Sequence, residues 1–432
     1  MKRFLIAAVA ALCLAGLVSF SAYAAGQDAG VRKHARWTVM VYLNGNNNLA
    51  PDILRVVNEM EQTGSNSDVQ MVVHMARSTK DLTPPAQYKQ LKSGLIVPTN
   101  KIVTMDDVVG GSARYHVTKD SNSAVISFAM VTDADPASPA TLLDFMRWGK
   151  SAYPADHYLL MMYGHGAGML GTSAGDQNGG HSRMSIPDLG FVLRAAKGVD
   201  VLFFYSCLMQ MAEVSARLDG AKLIIGSETS MLTNVPFTDM FEAVQQNAYQ
   251  GAEGMAAGIF KAVAQNDTRL GRADPVFTLS VVRPSGLKNV IAALNEYVSA
   301  IISEHDLQSS LFARDKVLRM DSDTSSMYND YCDLGHFIQL QASASGSEKV
   351  RSAAKALLTV IYKDYVVTAA QEDSARSRLT SGVSVYMPSK NHRIMDSYSS
   401  NPFGASKWGG FLRWVNLSRD GSGFDEAMRK RR

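Results

Sequence analysis

Two side chains suited to covalent chemistry each close a run of apolar residues. His165 ends Tyr158-Leu159-Leu160-Met161-Met162-Tyr163-Gly164-His165 and is followed by Gly166-Ala167-Gly168. Cys207 ends Val201-Leu202-Phe203-Phe204-Tyr205-Ser206-Cys207. A thiol attacks a carbonyl as the thiolate, so its surroundings must favour the anion or a base must take the proton. An imidazole is such a base near neutral pH. The glycines flanking His165 let a substrate backbone approach closely. Cys207 is expected between a strand and the start of a helix, where N–H groups and the helix dipole favour negative charge. The amides of Gly166 and Cys207 are then the candidates to hold the oxyanion formed on an attacked carbonyl. Each signal alone also has a plainer reading: a cysteine after an apolar run is commonly a core thiol, and a His-Gly after a strand is a weak motif.

The two chemical groups meet only if the elements before them are neighbours. Trp37 to Leu43 reads as a strand, broken by Asn44-Gly45-Asn46-Asn47-Asn48. Leu49, Ile53, Val56, Val57 and Met60 recur at helical spacing, with Asn48 as the expected cap and Pro51 in the first turn. Val69 to Met75 completes a β-α-β unit. Residues 80–120 read as irregular, Ala124 to Met130 as a strand, and Leu142, Leu143 and Met146 as one face of a helix ending near Tyr153-Pro154. Strands follow over His157–Tyr163, Val199–Tyr205 and Leu223–Ser227. Helices are expected over Ile186–Ala196, Met209–Leu218, 237–248 and 252–265. Beyond them come a strand at Val276–Val282, helices at 285–303 and 350–370, and a strand at Val383–Met387. This alternation implies a largely parallel sheet with helices on both faces. In such a sheet the carboxyl ends of the strands form the functional edge, which is where His165 and Cys207 fall.

Other chemistries find little support. The remaining histidines, His34, His74, His116, His157, His181, His305, His336 and His392, form no HExxH or Cys-His cluster that would hold zinc. Gly175-Asp176-Gln177-Asn178-Gly179-Gly180 lacks EF-hand spacing, and neither a P-loop nor a GxGxxG occurs. With 432 residues, a net charge of +3 and scattered Lys and Arg, the chain shows no nucleic-acid surface.

The first residues read as a signal peptide. Lys2 and Arg3 precede an apolar run to about Phe20, which exits through Ser21-Ala22-Tyr23-Ala24. Cleavage after Ala24 removes Cys13; an uncleaved anchor is the alternative, though the run is short for a span. The expectation is an exported chain, periplasmic or secreted, of roughly 400 residues and without a stable membrane anchor. Two cysteines then remain, Cys207 and Cys332, too few for a disulfide framework though enough for one bridge.

Beyond the strand-His and strand-Cys pattern, further segments resemble the clostripain-like cysteine peptidases (peptidase family C11, of the caspase-like clan). These are Trp37 to Gly45 with Asn47-Asn48-Leu49, Tyr153-Pro154-Ala155-Asp156, Cys207-Leu208-Met209 with Ala212-Glu213-Val214, and Gly226-Ser227-Glu228. Later ones are Thr278-Leu279-Ser280, Asp333-Leu334, Gly382 to Pro388, and Trp408 with Phe411-Leu412. The resemblance spans roughly residues 36 to 415. It implies a caspase-like α/β/α sandwich with an α+β C-terminal extension, and cysteine endopeptidase activity on proteins or peptides through Cys207 and His165. It also implies possible maturation by internal cleavage, with Arg183 and Lys197 as the basic residues at hand. No cofactor is required for the chemistry, while calcium is associated with members of the family. The corresponding organisation is a signal peptide over 1–24, a leader over 25–35, a catalytic core over 36–270, and a C-terminal region over 271–432 packed on it.

One position departs from the pattern. Members that cut after Arg or Lys carry an acidic residue two positions before the cysteine, at the floor of the specificity pocket; here it is Tyr205. A phenol cannot pair with a guanidinium as a carboxylate does. Glu228 is the candidate to supply the missing charge. The altered approach to Cys207 also motivates the competing reading, a catalytically inactive exported binding protein on a caspase-like scaffold.

Overall fold

Among the described residues nine strands form one sheet, in the order Val366–Ala369, Leu279–Val282, Ala221–Ser227, Val199–Tyr205, Ala155–Tyr163, Ala35–Gly45, Val69–Arg77, Gly111–His116, Val131–Thr132. The computed structural model describes residues 34–77, 111–120, 131–132, 135–175, 182–231, 236–269, 278–369, 380–390 and 392–417. The central strands are β1 (Ala35–Gly45), β2 (Val69–Arg77), β5 (Ala155–Tyr163), β8 (Val199–Tyr205) and β9 (Ala221–Ser227), all parallel. Antiparallel strands close the edges. These are β3 (Gly111–His116) and β4 (Val131–Thr132) on one side, and β10 (Leu279–Val282) and β12 (Val366–Ala369) on the other. Thus two strands from beyond residue 270, β10 and β12, extend the same sheet. The sheet is mixed but mostly parallel, with helices on its faces, as the strand-helix alternation implies.

Side chains alternate across each central strand, as the two-residue period requires. Along β8, Leu202 and Phe204 enter one core while Val201, Phe203 and Tyr205 enter the other. The first core packs against α2 (Pro139–Ala152), α3 (Ile186–Ala195) and α7 (Leu287–Ser303); the second packs against α1 (Ala50–Thr63), α5 (Thr238–Gln246) and α6 (Ala252–Arg269). All seven residues of β8 are buried, the mark of a parallel strand covered on both faces. Among the described residues, no helix is long and apolar enough to cross a membrane.

Several sequence expectations need correction. Residues 111–116, read as irregular, are the antiparallel strand β3, paired with β2 from Val72↔His116 to Arg77↔Gly111. The strand expected at Ala124–Met130 lies outside the described residues. The helix expected over 350–370 ends as α8 (Glu348–Val360), makes a π turn over Ile361–Tyr365, and becomes β12. β-Branched Val366 and Val367 favour the extended form once β10 offers an edge to pair with.

The helix expected from Met209 to Leu218 is reduced to the single turn α4 (Ala212–Ser215). The reason is hydrogen bonding. Leu208 N donates to Thr229 O, Gln210 N to Ser227 O, and Ser384 N to Gln210 O. A backbone already bonded sideways to its neighbours stays extended.

Candidate active site

Register places the two reactive residues together. Strands β1, β5 and β8 are adjacent and parallel, with Leu43 opposite Tyr163 and Tyr163 opposite Tyr205. His165 and Cys207 each lie two residues beyond the paired tyrosines, so they leave the same edge of the sheet side by side. The loops also touch. A Cβ placed on Gly166 would stand 2.2 Å from Cys207 O and 3.0 Å from Ser206 Cβ. Gly164, at φ +150°, faces Asn44 at the end of β1 in the same way, with its Cβ position 3.3 Å from Asn44 O. The close approach at 166 and the positive φ at 164 each call for glycine. His165 and Cys207 are each half-buried, open to solvent on one side.

Cys207 sits in a turn rather than at a helix N-terminus, and the four-residue α4 begins five positions later. The expected helix dipole is therefore not what faces the sulfur. Instead Met231 N donates to Cys207 Sγ at 3.3 Å, and Sγ lies 4.0 Å from Met231 O. Leu208, next in the chain, adopts φ +65°, an uncommon conformation for a residue with a side chain. That turn carries the backbone away from the strand direction immediately after the sulfur.

Neither described cysteine is in a disulfide: Cys207 is half-buried and Cys332 buried. Burial pushes the Cys332 thiol up to about 12. It sits on β11 (Tyr331–Asp333), whose partner is β13 (Ser384–Tyr386), well inside the core.

Sequence reading missed Asn48. The expectation was a helix cap, yet α1 begins at Ala50 with no side-chain cap on the preceding Leu49. Asn48 is exposed, and its Oδ1 lies 2.6 Å from Nε2 of His165. The neighbouring asparagines build the loop. Asn44 Oδ1 accepts from Asn46 N at 3.0 Å, and Asn47 Oδ1 accepts from Leu49 N at 2.9 Å. These side-chain-to-backbone turns are the ordinary use of asparagine after a strand. A run of asparagines thus signalled a turn, but not that one member would face an imidazole two strands' worth of chain away.

The two pocket candidates differ in setting. Tyr205 is buried among aromatics, its ring stacked on Tyr163 at 5.6 Å and tilted against Phe237 at 4.6 Å. Glu228 is fully buried beside Asp333. Burial, then the neighbouring Asp333 carboxyl, push Glu228 well above the usual carboxylate range. Asp333 is raised by burial as well, although His336 N and Ser381 N donate to it. Glu228 is 0% exposed, so its carboxyl does not reach the surface in this structure. Arg183 and Lys197 are both exposed, Lys197 in a turn at φ +62°.

Among the described residues, no three His, Cys, Asp or Glu side chains converge closely enough to hold a metal ion.

Comparison with known proteins places the chain by family and by fold. Residues 41–418 match the clostripain family, peptidase family C11. A secreted C11 cysteine protease from Bacteroides thetaiotaomicron, solved with an irreversible peptide inhibitor, is 21% identical with a TM-score of 0.61, covering 88% of this chain and 100% of that one. An inactive zymogen C11 protease from Parabacteroides distasonis is 19% identical with a TM-score of 0.59, covering 87% and 99%. Another solved structure of a secreted C11 cysteine protease from B. thetaiotaomicron, called iotapain, is 14% identical with a TM-score of 0.61, covering 86% and 99%. At these identities the likeness is one of fold, the caspase-like α/β/α sheet. No curated protein matches the chain.

Proposed function

The chain belongs to the clostripain family of cysteine peptidases, and from that membership we propose an exported endopeptidase with Cys207 as nucleophile and His165 as base. The observation that carries this reading is the pairing of β5 with β8, in which Tyr163 stands opposite Tyr205. It brings an imidazole and a thiol from separate parts of the chain to one edge, half-buried and backed by glycine.

The reaction follows from these groups. The thiol proton passes to the imidazole, and the sulfur adds to the substrate carbonyl carbon, forming the C–S bond. Negative charge moves to the carbonyl oxygen, where the amides of Gly166 and Cys207 are the proposed donors. The imidazolium gives its proton to the leaving nitrogen as the C–N bond breaks, leaving a thioester. Water, relieved of a proton by the imidazole, then attacks the thioester carbon. The C–S bond breaks and the thiol is restored.

Specificity is read from Tyr205. In place of an acidic floor the chain presents a phenol packed on Tyr163 and Phe237, so cleavage after Arg or Lys is not the expected preference. The charged start, the apolar run to about Phe20 and the exit through Ser21-Ala22-Tyr23-Ala24 support export.

The test is a Cys207→Ala variant assayed beside the native chain on casein and on a proteome-derived peptide library. Loss of cleavage, with products mapped to internal bonds in the native sample, supports an endopeptidase. Unchanged proteolysis by the variant would refute it. A native chain that neither cleaves nor is alkylated rapidly at Cys207 by iodoacetamide would favour the binding-protein reading.

A further inference from the structure

Taking Cys207 and His165 as the reacting pair, we infer that Asn48 is the positioning residue of His165: its side-chain oxygen fixes the imidazole so that Nδ1 is the nitrogen that exchanges protons with the sulfur.

The inference rests on one contact and on how the loop around it is built. Asn48 Oδ1 lies 2.6 Å from His165 Nε2. An amide oxygen only accepts, so Nε2 carries the hydrogen and donates it. In a neutral imidazole with Nε2–H, the lone pair sits on Nδ1. That settles which end of the ring acts as base. It also predicts what happens once the proton arrives: Nε2–H keeps the same acceptor in the imidazolium, so the ring need not turn between taking a proton from sulfur and giving it to the leaving nitrogen.

The supporting loop is stiff for identifiable reasons. Asn44 and Asn47 each tie their side chains to the backbone two residues ahead. Asn47 Nδ2 also donates to Asn44 O at 3.4 Å. Gly45 packs so closely on Ile53 that a Cβ there would stand 2.0 Å from Ile53 Cδ1, locking the loop to α1. The register Leu43↔Tyr163 then fixes the distance between this loop and the one bearing His165. The sulfur, the ring and the amide thus come from three consecutive strands of the sheet, β8, β5 and β1.

The role is testable because Asn48 is exposed and not part of either core. Asn48→Ala should lower kcat by about 10- to 100-fold with KM changed less than about twofold, since ring orientation matters most in the proton-transfer steps. Asn48→Asp keeps an acceptor at the same place. It should restore most of the rate and move the acid limb of the kcat/KM profile to higher pH, because a carboxylate favours the imidazolium. A residue serving only the loop would not produce that pH shift. ¹⁵N NMR of labelled histidine should report the Nε2–H form for His165 in the native chain and a mixture of tautomers in Asn48→Ala. Cys207→Ala run in parallel separates two failures. If it abolishes turnover while Asn48→Ala behaves as native, the positioning role is wrong and the protease reading stands. If Cys207→Ala remains active, the protease reading falls, and the tautomer measurement, which needs no turnover, still decides whether Asn48 holds the ring. An Nδ1–H form in the native chain overturns the inference.

Discussion

The Cα of Gly166 faces the carbonyl oxygen of Cys207 so closely that a Cβ on it would lie 2.2 Å away. The loop after β5 and the loop after β8 are therefore held together by the absence of a side chain. Gly166→Ala must push the loops apart, a strain of about 1–3 kcal/mol by the measure of overpacked sites. We expect kcat/KM to fall at least about tenfold, with a lower melting temperature. Native activity in Gly166→Ala would mean that the two loops need not touch.

The two thiols should react very differently. Cys207 is half-buried at the sheet edge, whereas Cys332 is buried with its thiol pushed up to about 12 by burial. Iodoacetamide followed by peptide mass mapping should modify Cys207 in the folded protein and Cys332 only after denaturation. Equal labelling of both in the native state would contradict the structure.

Stability should fall as pH rises through the neutral range. Glu213 is fully buried, and burial raises its carboxyl from the ordinary 4.5 to about 7, despite hydrogen bonds from Tyr398 OH at 2.7 Å and Tyr386 N at 2.9 Å. A group raised on folding stabilises fully below its unfolded value and loses that contribution as pH climbs through the folded one. The contribution is about 3 kcal/mol for a shift of this size. Glu213→Gln keeps an oxygen for both donors and cannot titrate. Melting curves from about pH 5 to about pH 8 should decline for the native chain and be flatter for the variant. Parallel curves would show that Glu213 does not govern this limb.

The opposite sign applies at His74. Its ring stacks on Tyr42 at 4.8 Å, and burial, then Arg114, lower its imidazole to about 3. Stability from a depressed group is present above the unfolded value of 6.5 and is lost as pH falls through the folded one. His74→Phe retains an aromatic ring without a titrating nitrogen. It should therefore unfold at lower pH than the native chain in an acid titration followed by circular dichroism. An unchanged acid midpoint would rule out His74 as the sensitive group.

Glu228→Gln should leave the cleavage-site profile unchanged. The carboxyl is enclosed beside Asp333 and held well above its usual range, first by burial. A shift in P1 preference on a peptide library would place Glu228 in the pocket after all.

What the sequence determined is the set of strands and where each one stops. Apolar runs ending in Gly-His or Ser-Cys are legible because a strand buried on both faces needs uninterrupted apolar residues, and the first polar ones mark its end. The strands read over Val199–Tyr205 and His157–Tyr163, beyond whose ends Cys207 and His165 fall, are present, the second starting two residues earlier at Ala155. The antiparallel edge could not. Gly111–His116 and Val366–Ala369 become strands because β2 and β10 offer unpaired edges, a condition set by distant parts of the chain. The same holds after Cys207, where a helical pattern lost to hydrogen bonds with Thr229, Ser227 and Ser384.

Tertiary structure alone decided the surroundings of the reactive pair. Asn48 meets His165, and Met231 and Gly166 meet Cys207, only through the order of β1, β5, β8 and β9, and local spacing carries no record of which strand lies beside which. It also enclosed Glu228 with Asp333, because desolvation depends on what packs over a residue rather than on its neighbours in sequence.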